Sequence, residues 1–310
     1  MGGRTTPQRP LTPATRADLA GLYGPGSEGW RLNREAALLL GAGPRALLLQ
    51  VGHPIVAEGV AQHSNFRADA WGRLAGTLRS YLRIVYGSGP AARAEIARLN
   101  RMHAAVTGPV RDSAVAARHG ATYRALDPVI ALWVHATLID STLCVVDAWQ
   151  ERLTSDVRAR FYDETRPIGR LFGIPDALLP NDIDAFDGYM AAMLAPDGPI
   201  QPTAAARDIT DAILRPPLSG VVRGPLADRL GPAAPLAVRL LDLVPQPAVD
   251  ILMLPSIGLL PERLRVAYGL PWGARERVID AWLVTSWRFW RPHMPPSLRW
   301  FPQALAADRR

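Results

Sequence analysis

Lysine is absent from this chain of 310 residues, and all 35 of its basic residues are arginine. That absence removes Schiff-base chemistry, a pyridoxal-phosphate anchor, a P-loop lysine and any lysine general base. Cysteine occurs once, at Cys144, which excludes an internal disulfide framework and any cysteine-rich zinc or iron–sulfur site. Charged residues make up only 20% of the chain, below the ~25% of a typical soluble domain. Much of the surface is therefore expected to be apolar, helix-covered or engaged. Familiar signatures are missing as well. No Gly-x-Gly-x-x-Gly follows a strand, no Gly-x-Ser-x-Gly marks a serine hydrolase, and neither His-Glu-x-x-His nor a repeated Glu-x-x-His announces a metal. Met1 to Gly26 is rich in Thr, Pro and Gly and has no apolar core segment, so an untargeted, cytoplasmic protein is expected.

What is present is apolar and helical. A hydrophobic fraction of 48% rules out disorder as the main state. The net charge of +7 comes from arginines scattered along the chain without a dense run or a nucleic-acid motif. It is read as a preference for arginine, no nucleic-acid partner is expected, and weak binding to anionic surfaces is a minor expectation.

Proline and glycine punctuate the helices. Residues 1–27 read as a loose arm and 28–310 as one helical domain. A helix is expected over Asn33–Leu40, broken by Gly41-Ala42-Gly43-Pro44, and a second from Pro44 to Gln62 with a kink at Pro54. Asp69 reads as the N-cap of a third helix running to Tyr86, with Leu74, Leu78, Leu82 and Val85 as its apolar stripe. Pro90 opens a fourth, capped by Ser88 or Gly89 and closed before Gly108. Asp127-Pro128 gives the clearest start of all, for a helix to Trp149. That helix is almost as long and apolar as a membrane span. It holds His135, Thr137, Asp140, Ser141 and Thr142, which lipid would penalise, so a buried central helix is expected. Shorter helical signals follow at 155–164, 176–195, 203–214 and 225–243, then a proline-rich 244–262, then a strong helix over Ala274–Trp290. No alternating strand pattern of useful length and no internal repeat appears. The fold class read from this pattern is all-α.

With lysine and cysteine gone, the six histidines are the place to look for chemistry: His53, His63, His103, His119, His135 and His293. His103 falls on the stripe of Ile96, Leu99 and Val106, away from Arg93, Arg98 and Arg101. A histidine so placed needs a partner for its ring nitrogens, either a backbone carbonyl or a metal. His135 poses the same question in the most apolar helix. Glu58, between His53 and His63, is either an acid–base group or a solvated residue at a helix edge. Arg73 and Thr77 lie one turn apart with Gly76 and Ser80 beside them, as either a ligand face or an ordinary surface strip.

Taken together, four blocks resemble a known family. They are Leu47–Pro54 with Gly59–Ser64; Phe66–Leu74 through Thr77; Asn100–His103 with Val106 and Gly108; and Asp127-Pro128 with Leu132–Ser141. Leu260-Pro261 and Leu270-Pro271-Trp272 add a weaker echo. The family is the one that contains the bacterial rubber oxygenase (latex clearing protein) and the fungal MpaB oxygenase. The resemblance implies a helical haem b protein with a loosely globin-like core that uses O2 on isoprenoid double bonds. His103 matches the proximal iron ligand, leaving the opposite face of the haem for O2. His135 matches a second family histidine in a supporting, cofactor-binding place. Arg73 and Thr77 match polar residues on the O2 side, and Glu58 stands nearest the family's acidic base. Gly76 departs from the pattern, because the rubber oxygenase carries a lysine there.

The function expected is a haem b-dependent oxygenase that takes O2 and a small or medium apolar substrate. The alternative is a haem or apolar-ligand carrier or sensor without turnover. Trp287-Arg288-Phe289-Trp290-Arg291 with Arg299-Trp300-Phe301 suggests a third role in weak peripheral membrane contact. The competing expectation is that these tryptophans complete the core.

Overall fold

Asp127 begins the central helix as the sequence predicts. Its carboxylate accepts the Val129 N–H, Pro128 occupies the first turn, and the helix runs over Pro128–Trp149. A computed structural model describes residues 21–63, 70–215 and 231–308. In chain order the first half comprises α1 (Glu28–Leu32), α2 (Leu38–Gly52), α3 (Pro54–His63), α4 (Ala70–Tyr86), α5 (Gly89–Ala104), β1 (Thr107–Pro109), α6 (Ser113–His119), β2 (Thr122–Arg124) and α7 (Pro128–Trp149). The second half follows with α8 (Ser155–Leu171), α9 (Ile183–Met193), α10 (Ala204–Leu214), α11 (Ala234–Asp242), α12 (Gln246–Gly258), α13 (Glu262–Ala267), α14 (Ala274–Trp290), α15 (Pro296–Arg299) and α16 (Pro302–Ala307). The fold is all-α. The one sheet among the described residues is the short antiparallel pair β1–β2, in which Gly108 faces Tyr123. That hairpin and α6 lie between the two helices the sequence predicts on either side, over a stretch for which it gives no element.

The core forms around α7 and α2. Trp133, Leu143, Val145 and Val146 of α7 are buried with Leu48, Leu49 and Val51 of α2, and α9, α10 and α12 close over them. Each such side chain taken out of water contributes about 1.5–3 kcal/mol. α7 is the one described helix long and apolar enough to cross a membrane, yet more than half of its most apolar stretch is buried within the protein. Its polar residues find partners on α2. Thr137 accepts from Gln50 at 3.0 Å, and Ser141 accepts from Arg45 at 2.9 Å. Asp140 forms an ion pair with that same buried guanidinium. The buried-helix expectation holds.

Gly41-Ala42-Gly43-Pro44 does not break a helix, contrary to the sequence reading. α2 runs straight through it, with Pro44 inside. Two tertiary contacts override the local signal. A Cβ on Gly41 would lie 2.6 Å from Trp149 and 2.9 Å from Val145, so glycine here lets α2 and α7 approach closely. Pro44 has no N–H for the Leu40 carbonyl four residues back, and the Ser256 hydroxyl of α12 donates to that carbonyl instead. The break comes at Pro54, where His53 ends α2 in an extended conformation. Asp69 and residues 225–230 lie outside the described residues, as do the first twenty residues of the expected arm. α8 extends past its predicted end to Leu171 with Pro167 inside, and the proline-rich 244–262 is mostly α12.

Candidate functional site

α4 and α5 form an antiparallel hairpin turned at Gly87-Ser88, with Pro90 in the first turn of α5. A buried clamp sets its register. The Ser80 hydroxyl donates to Glu95 at 2.7 Å, and Arg98 donates to both groups, at 2.6 Å to Glu95 and 3.1 Å to Ser80. The Arg98 hydrogen bond, helped by Ser80, holds the Glu95 carboxyl below the usual range despite its burial. Ser80 is thereby committed to structure. Ser80, Thr77 and Arg73 share one face of α4, since residues three and four apart lie above one another. Continuing the register at about 1.5 Å per residue on both helices, Thr77 stands level with residues about 99–101 and Arg73 with about 102–105. The His103 backbone is therefore level with that of Arg73 along the hairpin.

The stripe read from the sequence for His103 is real. Ile96 is buried and Leu99 half-buried between Ile84 of α4 and Ile168 with Phe172 at the end of α8. His103 continues it in the last turn of α5, half-buried. Asn100 ties that turn to α8 by donating to the Leu171 carbonyl at 2.9 Å. On the facing helix Thr77 is exposed, and a Cβ placed on Gly76 would meet no atom within 4 Å. The site thus has room on the α4 side, next to a hydroxyl and at the level of an imidazole. The Arg73 backbone is part of α4, and its side chain lies outside the described ones.

His135 sits elsewhere. It is buried where α7 meets α8, and a Cβ on Gly169 would stand 3.2 Å from its Nε2. That nitrogen has no hydrogen-bond partner. Burial pushes the imidazole down to about 4, against an opposing hydrogen bond to the Thr165 backbone, so the ring is neutral at pH 7. α8 packs on both α5 and α7, and in that way His135 lies behind the layer that supports His103.

Glu58 is buried on α3, beside the β1–β2 hairpin. Its Oε2 accepts from Gln62 at 2.7 Å, and Gln62 also donates to the Pro109 carbonyl at 2.9 Å. Tyr123 faces this group, its hydroxyl buried and without a partner, and burial, then Glu58, push its pKa up. Gly108 makes room for that ring, because a Cβ there would be 2.8 Å from the Tyr123 hydroxyl. Ile55 of α3 and Val106, three residues beyond His103, meet in the same apolar cluster as Tyr123. Next to it, His53 packs on His119 with ring centroids 5.4 Å apart, and His63 lies 3.0 Å from the Thr107 carbonyl. Burial, then His119, lower His53 to about 4. The structure thus brings Arg73, Thr77 and His103 to one helical hairpin and keeps Glu58 and His135 in flanking clusters. Tyr123 escapes sequence reasoning, as does the pairing of His119 with His53. The signal that was there, Gly108, reads as a helix terminator when its work is to admit Tyr123.

Among the described residues no three of His, Cys, Asp and Glu converge on a metal site. A haem would bring four nitrogens of its own and need one imidazole from the chain, and half-buried His103, at the end of the Ile96–Leu99 stripe, would be the residue to hold it. Burial pushes the Cys144 thiol up to about 11, which takes it out of nucleophilic chemistry at neutral pH. The family model described as "ER-bound oxygenase mpaB/B'/Rubber oxygenase, catalytic domain" matches residues 30–291. The chain belongs to the MpaB/rubber oxygenase family. Its kind of function is that of an oxygenase catalytic domain, and its four sequence blocks all lie within the matched span. Neither the curated proteins nor the solved structures offer a match.

Proposed function

We propose that this chain is a haem b-dependent oxygenase acting with O2 on a small or medium apolar, unsaturated substrate, with a helical core in the manner of its family. The observation that supports the reading is the Ser80–Glu95–Arg98 clamp of the α4–α5 hairpin, whose register makes the backbones of His103 and Arg73 level on neighbouring helices. In this reading the His103 imidazole holds the cofactor from α5, and the close of the helix leaves it as the last side chain of an apolar stripe. Haem b, when bound, supplies the O2 chemistry. Arg73 and Thr77 would offer hydrogen-bond donors from α4 to O2 held in the site. Gly76, free of side chain, leaves space between them for the substrate. The Ser80–Glu95–Arg98 clamp keeps the two helices in register, and in this reading that register holds donors and imidazole at one level. His135 supports α8 behind them, and Glu58, in the cluster beside the β1–β2 hairpin, is the carboxylate assigned to proton transfer.

One observation favours turnover-free binding, as in a carrier or sensor: the Glu58 Oε2 is already engaged by Gln62. Oxygen uptake by haem-loaded protein, measured with a panel of apolar alkenes, separates the two. Uptake that tracks alkene loss, and falls about 10–1,000-fold in Arg73→Leu at unchanged haem content, is the result expected of an oxygenase. Stoichiometric haem with uptake at background for every alkene, with and without an electron donor, is the result expected of a carrier.

A further inference from the structure

The C-terminal aromatics divide: Trp287 packs on the main core and Phe301 with Trp300 on a second cluster, whereas Trp282, Phe289 and Trp290 stay outside. In α14 Val284 and Trp287 pack on the core and Ile279 and Leu283 are half-buried, whereas Val278 is 69% exposed, Trp282 65%, Phe289 62% and Trp290 61%. At about 100° per residue, Val278, Trp282 and Phe289 fall within about 40° of one another and make a single outward stripe three turns long. The stripe ends in an aromatic knot. The Phe289 ring lies 5.1 Å from Trp290 and 5.9 Å from His293, and Leu298 stands just beyond, also largely exposed. Large aromatics in water carry a cost that a soluble monomer has no reason to keep unless the face is used.

Charge says what the face is used for. Arg275 flanks the stripe on one side, with Arg277 and Arg288 on the other, and all three are exposed. Arg277 reaches the Trp272 carbonyl at 3.3 Å and Arg288 the Asp147 carbonyl at 3.0 Å, so neither is neutralised by a carboxylate in those contacts. The two acids of α14 point the other way. Glu276 folds back to accept the Gly273 N–H at 2.7 Å, and Asp280 packs against Gly258 of α12. An apolar stripe with tryptophans, rimmed on both sides by arginine and cleared of acid, has the composition of a helix that lies in a lipid interface. A protein partner would need a matching acidic rim around an apolar groove, whereas an anionic bilayer presents both everywhere.

We infer that the outward face of α14, with the Phe289–Trp290–His293 knot at its end, docks this protein on an anionic lipid surface. The helix lies in the plane of the interface, with the aromatic side chains at headgroup depth and the arginines on lipid phosphates. The inference stands on α14 alone and is independent of the haem reading. Full-length protein is sedimented with vesicles of phosphatidylcholine plus phosphatidylglycerol and, separately, of phosphatidylcholine alone. The expected result is pelleting with the anionic vesicles, weakened by salt, together with a blue shift of tryptophan emission. Trp282→Ser with Trp290→Ser, and separately Arg275→Gln with Arg277→Gln and Arg288→Gln, each lower partitioning about tenfold or more. The positions are solvent-facing, and an unchanged melting transition certifies that each variant is folded. No pelleting by the parent, or equal pelleting by both folded variants, overturns the proposal. So does a parent dimer that Trp282→Ser makes monomeric without any vesicle binding, which would assign the stripe to a second copy of the chain.

Discussion

Two buried histidines make stability depend on pH. His53 and His135 are each lowered to about 4, the first by burial and then by His119, the second by burial against the Thr165 backbone. In the unfolded chain both take up protons near their ordinary value of 6.5. Their contribution is therefore complete above that pH and is lost as the pH falls from about 6.5 towards 4, by up to roughly 3 kcal/mol for each ring. Urea unfolding at pH 7 and pH 4.5 measures it, and His135→Phe removes its share of the slope if Phe fits against Gly169. At the same scale His103 was legible in the sequence, since its stripe of Ile96 and Leu99 repeats at helical spacing. The orphaned Tyr123 hydroxyl was not, because its surroundings come from α3 and from a hairpin of two three-residue strands. Periodicity has nothing to register over so short a run.

Among the elements, α7 and α14 were legible to the residue or nearly so. Asp127-Pro128 starts one, and Gly273 before an arginine- and glutamate-bearing first turn starts the other. α2 was misread because Gly41 and Pro44 act as breakers only when nothing distant compensates. Here Trp149 needs the missing Cβ, and Ser256 takes the carbonyl that Pro44 leaves open, some two hundred residues away in sequence. Ser256→Ala therefore leaves that carbonyl unpaired in the α2–α12 contact and costs about 1–3 kcal/mol in denaturant unfolding. Gly41→Leu forces α2 off α7 and costs at least as much. In the α4–α5 hairpin, Glu95→Ala frees Ser80 and Arg98 and loosens the register that sets Arg73 level with His103. Haem affinity, measured by titration, is expected to fall about tenfold while the fold persists, since Arg98 remains half in solvent.

Across the whole molecule, the two ends of the matched span are joined by a buried carboxylate. Glu35 takes Arg291 at 3.0 Å and Arg299 at 3.5 Å, and its backbone bridges Trp300. The sequence holds no trace of this pairing, because an ion pair between residues 256 apart is invisible to spacing. Glu35→Ala strands two mostly buried guanidinium groups, and unfolding in urea is expected to show a loss of about 3–5 kcal/mol. The all-α class and the family were legible throughout, from helix starts and from four ordered blocks. The exposed aromatic face of α14 was legible only as a choice between core and interface, which the packing of α14 on α12 and α7 decides. The central claim, that the α4–α5 hairpin binds haem through His103, is tested most directly by absorption spectroscopy. The full chain, His103→Ala and His135→Phe are each expressed with haem supplied. The account predicts an intense Soret band in the parent, retained in folded His135→Phe and lost or shifted in folded His103→Ala. No Soret band in the parent after haem reconstitution, or one unchanged in His103→Ala, contradicts it.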